Sequence, residues 1–214
     1  MPIMPGITVE ATRHHGGGFH RPDPIGIVCH RTECSFDRAR SGFTRGPKSV
    51  HFLIGKVPGN AVQLVDTSMV AYHVGPGANA LFVGIEFESI AARSGYEHRT
   101  DPLVNADPLT AYQLDLGRVV INWICKMHNI PKKGPPSRAE MIACRGRYNG
   151  LMNHASLNGF FATDHGDALR MQDWSALLPI TAQLGDFQQG PGQRNLKSPA
   201  GPSRIRKPGP FGVT

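Results

Sequence analysis

Apolar and polar positions along the chain change period several times. Ile25 to Cys29 is an almost continuous apolar run with β-branched residues, which predicts a short central strand buried on both faces. Val50 to Lys56 and Ala61 to Val65 are two further strand-like runs, and the turn sequence Val57-Pro58-Gly59-Asn60 between them predicts a hairpin. From Val83 to Ser89 the pattern alternates strictly. Val83, Ile85 and Phe87 fall on one face and Gly84, Glu86 and Glu88 on the other, so Glu86 is expected to stand opposite the apolar set. Between Pro108 and Asn129 the period becomes helical, with Leu116, Val120, Trp123, Ile124 and Met127 in one stripe and Pro131 marking the end. Lys132 to Gly150, with Pro135-Pro136 and Gly146, predicts a loop with one short helical turn that delivers the chain to His154. These periods together predict an α/β fold, a central mixed β-sheet flanked by helices.

Composition narrows the class. A chain of 214 residues, 40% hydrophobic and 18% charged, suits one domain with a substantial core. It has no apolar run of about 18 residues, the length that would predict a membrane-spanning helix. Its start, Met1-Pro-Ile-Met-Pro-Gly6, lacks the charged and apolar regions of a signal peptide, so synthesis in the cytoplasm without standard secretion is expected. Cys29, Cys34, Cys125 and Cys144 are too few for a disulfide scaffold and form no paired CxxC knuckles; reduced thiols are expected, with one bridge left open.

The net charge of +7 is unevenly spread. From Gln189 to Thr214 the chain carries Arg194, Lys197, Arg204, Arg206 and Lys207 and no acid, among several prolines and glycines. Residues 181–214 are therefore expected to be a flexible cationic tail. Such a tail either is drawn to a polyanion by long-range attraction or merely aids solubility. Residues 1–23, with His14-His15-Gly16-Gly17-Gly18 and Pro22-Asp23-Pro24, read as a loosely structured arm, which leaves 24–180 as the folded domain.

The candidate chemistry lies in Asn153-His154 and Asp164-His165-Gly166-Asp167, close to Trp174 and far in sequence from His30 and Glu86. Zinc hydrolases use about three imidazole, thiolate or carboxylate ligands and keep a position for water, so two histidines and one carboxylate meet the requirement. A competing site, Cys29, His30 and Cys34 with the tail on nucleic acid, is disfavoured because adjacent residues on a strand point to opposite faces.

The order of these pieces resembles the zinc-dependent N-acetylmuramoyl-L-alanine amidases of the amidase-2 type, which include phage endolysin amidases, anhydromuropeptide amidases of wall recycling and the peptidoglycan recognition proteins. The resemblance spans roughly Ile25 to Leu178. Gly26-Ile-Val-Cys-His30 looks like the first ligand strand, and Val50-His-Phe-Leu-Ile54 with Gly59 and Gln63 like the hairpin that follows. Ala71-Tyr-His-Val-Gly75 is similar to an alanine, aromatic, histidine and glycine segment. Val83-Gly-Ile-Glu-Phe-Glu88 matches the strand with the catalytic glutamate, and Gly150-Leu-Met-Asn-His154 the loop with the second ligand histidine.

The resemblance implies a zinc site in a surface groove, held by His30, His154 and Asp167, with Glu86 and His165 catalytic and Tyr72 and His73 as substrate contacts. Asp167 is preferred to Asp164 because His165-Gly166-Asp167 with Asp173-Trp174 fits the family pattern, whereas Asp164 would leave Ala162 at the polar position. It also implies a monomer that hydrolyses the amide between N-acetylmuramic acid and L-alanine in peptidoglycan or a muropeptide. The tail is then expected to contact anionic envelope polymers. A peptidoglycan-binding module of the same fold that does not cut is the alternative. An endolysin released to the wall, a recycling enzyme and an antibacterial effector all remain open as settings. The chain departs from the family pattern at Val50, in place of a frequent tyrosine, at Ala168-Leu169, in place of proline and glycine, and at Arg31, in place of histidine or asparagine.

Overall fold

The computed structural model describes residues 2–19, 23–89, 107–162 and 167–178, all within one compact unit, Met1–Ile180. The expected tail, 181–214, and the candidates Asp164 and His165 lie outside the described residues. Among the described residues, no helix is long and apolar enough to cross a membrane.

The strands in chain order are β1 (Thr8–Val9), β2 (His15–Gly18), β3 (Gly26–Arg31), β4 (Phe52–Ile54), β5 (Ala61–Gln63), β6 (Met69–Ala71), β7 (Phe82–Phe87) and β8 (Leu151–Asn153). Six of them form a mixed sheet in the order β1-β5-β4-β7-β3-β8, and β2 pairs antiparallel with β6. The central strands β4, β7, β3 and β8 run parallel, while β4 and β5 form the expected antiparallel hairpin.

Among the described residues, four α-helices accompany the sheet: α1 (Phe36–Arg45), α2 (Ala111–His128), α3 (Arg138–Ala143) and α4 (Met171–Leu177). A capping box between Thr110 and Gln113 starts α2, and Asn129, with φ 53°, ends it in a left-handed conformation. Ile27, Cys29, Phe52, Ile54, Val83, Ile85 and Phe87 form one buried face of the sheet. Val120, Ile121 and Ile124 of α2 and Trp174 and Leu177 of α4 cover it. Met127, placed in the helical stripe by its spacing, is instead 47% exposed, because the buried stripe runs through Ile121, Ile124, Cys125 and His128 and leaves Met127 to one side.

The N-terminal segment departs from expectation. Residues expected to be a loose arm are built into the sheet: β1 lies parallel to β5, and the N–H groups of Glu10 and Thr12 donate to Gln63 O and Leu64 O. Met4 is buried in the main core and its N–H donates to Gln63 Oε1 at 2.8 Å. Glycines and polar residues disguise this segment, because an edge strand is held by backbone hydrogen bonds that carry no side-chain signature. All four cysteines are free thiols.

Arg31 anchors the covered face. It follows His30 on β3 and so points the other way, among the apolar residues. Its Nη2 lies 2.9 Å from Asp173 Oδ2 of α4, and its Nη1 donates to Ser89 Oγ and to Asp107 O. Asp173 in turn accepts from the N–H groups of Leu109 and Arg170. Both side chains of the pair are about 95% buried, so removing one strands a charge that no water reaches.

Two predictions follow from burial. Arg31→Met should destabilise the protein by about 3–5 kcal/mol. Arg118→Met, at an exposed pair with Asp115, should cost less than about 1 kcal/mol in the same urea titrations. His51 is fully buried, donating from Nε2 to Met69 O while its Nδ1 accepts from Gly84 N–H, and burial lowers its pKa from 6.5 to about 4. The unfolded chain therefore binds a proton at His51 that the folded chain refuses between these pH values, so this contribution is intact above pH 6.5 and declines as pH falls toward 4. The decline should total about 3 kcal/mol, read as the pH-dependent part of the stability difference between wild type and His51→Gln; a flat difference would refute it.

Candidate active site

The groove opens where the parallel strands end, on the face opposite α2, the usual position for a ligand in an open α/β sheet. Its volume is about 590 Å³, and His30, Lys48, Tyr72, Glu86, His154 and Asp167 are among its lining residues. The pairing of β3 with β7 places His30 directly beside Glu86. β8 lies on the other side of β3, with Asn153 opposite Cys29, so that His154 enters the groove at the first residue of the short 3-10 helix His154–Leu157.

Asp167 arrives from a loop, and Asn153 fixes that loop. The Asn153 Oδ1 atom accepts from Leu169 N–H at 2.8 Å and from Trp174 Nε1 at 3.0 Å, while Ala155 N–H donates to Asp167 O at 3.3 Å. The Asp173-Trp174 pair therefore works from the covered face: Asp173 binds Arg31 and Trp174 holds Asn153.

The three chains meet closely. His30 Nδ1 lies 2.9 Å from Asp167 Oδ2 and His154 Nδ1 lies 2.8 Å from Asp167 Oδ1, with the imidazole rings 4.8 Å apart. One ligand atom from each of His30, His154 and Asp167 falls within 4.8 Å of the others, a set able to hold a metal ion. The buried carboxylate of Asp167 thus lies between two imidazole nitrogens. Two imidazoles and a carboxylate so gathered suit a shared cation and are donors that zinc accepts. Burial opposes ionisation of Asp167, yet the adjoining His30 and His154 hold its carboxyl well below the usual carboxylate range.

Glu86 is tuned the other way. It is 8% exposed, and its Oε2 is buried without a hydrogen-bond donor. Burial first, and then the negative charge of Asp167, raises its carboxyl well above the usual range. The groove thus contains one carboxyl held toward its ionised form and, one strand away, one whose proton affinity is raised, a contrast that suits acid–base chemistry.

The remaining predicted residues separate. Tyr72 stands at the groove wall, 40% exposed. His73 also lines the groove, but both its ring nitrogens are engaged inside the protein, with His30 Nε2 at 2.9 Å and Phe82 O at 3.0 Å. Burial, then the neighbouring imidazoles, depresses its pKa well below the ordinary histidine value. Cys29 sits in the apolar core on the opposite face from His30, so the two do not share an ion, which removes the Cys29, His30 and Cys34 site. The sequence reading missed Asn153 as a brace, Arg31 as an anchor and His51 as a buried support, since nothing local marks a side chain whose partners are distant in sequence.

A mixed α/β sheet with a groove at its strand ends, two imidazoles and two carboxyls shifted in opposite directions defines a hydrolase-type site. The model of the N-acetylmuramoyl-L-alanine amidase family, Amidase_2, matches residues 20–165, more than half of the chain. The chain belongs to that family. No curated protein matches it in sequence at a significant level. Among solved structures it is similar to a selenomethionine derivative of AmpD, with 18% identity and a TM-score of 0.55 over 82% of this chain and 96% of that one. It is also similar to the Staphylococcus aureus hydrolase AmiA in complex with its ligand, with 14% identity and a TM-score of 0.53 over 83% of each chain. The endolysin amidase LysCS from Clostridium intestinale gives 16% identity and a TM-score of 0.50 over 81% of this chain and 95% of that one. At these identities the likeness shows the fold, and the site rests on this chain's own residues.

Metal analysis of purified variants tests the cluster. His154→Ala and Asp167→Ala should each lose a divalent metal that Cys34→Ser retains, and the opposite pattern would move the metal to the cysteine segment.

Proposed function

We propose that the chain is a zinc-dependent amidase that hydrolyses the amide bond between N-acetylmuramic acid and L-alanine in peptidoglycan or its fragments. One observation carries this reading: the buried Glu86 carboxyl lies on the same sheet face as His30 and beside the His30, His154 and Asp167 cluster, where burial raises its proton affinity. The groove volume of about 590 Å³ falls within the roughly 300–1,000 Å³ of small-ligand sites, enough for the scissile region of a muropeptide.

His30, His154 and Asp167 would hold zinc, which when bound would supply Lewis acidity for the hydrolysis. Glu86 accepts the proton of the attacking water and passes it to the nitrogen of L-alanine as the amide bond breaks. Its buried seat suits both duties, because raised proton affinity makes it a stronger base and keeps the proton in place until the amine leaves. Asp167 stays ionised and offsets cationic charge in the site. Tyr72 packs against substrate at the groove wall, and His165 donates a hydrogen bond to the developing oxyanion. The acid-free basic stretch from Gln189 to Thr214 supports action at the cell envelope, where anionic polymers would retain the enzyme.

Purified protein incubated with peptidoglycan should release new L-alanine amino termini, with the activity lost to a chelator and restored by zinc. Free reducing sugars in their place would identify a glycosidase and reject the assignment. Glu86→Gln should lower kcat by about 10²–10⁴-fold while metal content stays unchanged.

A further inference from the structure

We propose that His73 is a positioning residue for the metal centre: it keeps the proton of His30 on Nε2 and so presents His30 Nδ1, as a lone pair, to Asp167 and His154. The inference rests on the metal-dependent reading above and deepens it.

The hydrogen-bond directions follow from the one partner that has no choice. Phe82 O can only accept, so His73 Nε2, at 3.0 Å, carries a proton. Nδ1 of the neutral His73 ring is then an acceptor, and His30 Nε2, at 2.9 Å, supplies the proton between them. His30 Nδ1 is left as the lone-pair nitrogen, and it is the atom 2.9 Å from Asp167 Oδ2. Two lone-pair atoms facing each other across that distance are stabilised by a shared cation. The other His30 tautomer would carry a proton on Nδ1 and close the gap with an internal hydrogen bond. Ligand histidines in general are oriented in this way by a partner on the second nitrogen.

The surroundings of His73 fit a fixed support better than a substrate contact. A Cβ at Gly84 would stand 2.6 Å from His73 Nδ1 and 2.8 Å from its Cγ, so the ring's seat on β7 exists because residue 84 has no side chain. The Oδ1 atom of Asn79 accepts from the N–H groups of both His73 and Val74, at 3.0 and 2.8 Å. His51 abuts the ring edge-on, with centroids 5.8 Å apart. With both nitrogens used inside the protein, His73 offers substrate no polar atom.

Long-range ¹H–¹⁵N NMR of the zinc-loaded full-length protein reads the tautomer directly. His30 should carry its proton on Nε2 and none on Nδ1. A protonated Nδ1 in protein that holds zinc overturns the role of His73 alone, whereas wild-type protein that takes up no zinc overturns the metal reading with it. In a second arm, zinc affinity is measured by chelator competition. His73→Phe should bind zinc about 10–100-fold more weakly, and His73→Gln, whose carbonyl oxygen can still accept from His30, should recover most of the loss. Unchanged zinc affinity in His73→Phe with a raised KM for peptidoglycan would make His73 a substrate contact and overturn the proposal.

Discussion

The parallel pairing of β3 with β7 governs the rest of the molecule. Its register sets His30 beside Glu86, and the twofold alternation of a strand sends Cys29, Ile85, Arg31 and Phe87 to the opposite face. One face of the same two strands is therefore apolar core under α2 and α4, while the other carries ionisable groups at the strand ends. Slipping the register by one residue would exchange these faces and bury the imidazoles under the helices.

Placing so many titratable groups out of water is costly, and the site meets the cost in different ways at different residues. Asp167 remains charged because imidazoles surround it. Glu86, without a donor for one oxygen, has its proton affinity raised instead. His51 and His73 stay neutral and spend both nitrogens on hydrogen bonds. The resulting contrast between two carboxyls of one groove is what makes the cluster chemically useful.

Much of the precision comes from the face that substrate never meets. Arg31 and Asp173 join β3 to α4 and to the residues before α2, and Trp174 reaches through Asn153 to the loop that carries Asp167. Arg31, a departure from the family pattern, thus has a structural duty through its side chain, while its backbone N–H reaches Asp167 Oδ2 at the groove. The adjoining β8 strand completes the arrangement by bringing His154 alongside His30.

The central strands, the β4–β5 hairpin, the long helix and the outward stance of Glu86 were legible in the sequence, because burial imposes periods of two and 3.6 on side-chain polarity. The set of His30, His154 and Asp167 was legible through the order of short motifs. The N-terminal strands, the exposure of Met127, the brace at Asn153 and the engagement of His73 were not. They depend on backbone pairing and on partners dozens of residues away, for which a linear pattern has no signal. The sequence by itself therefore determined the elements, their apolar faces and the inventory of reactive groups. Tertiary structure alone decided which groups share a face, which are desolvated and which partner each imidazole nitrogen meets, since hydrogen-bond direction and dielectric exist only once distant residues are packed together.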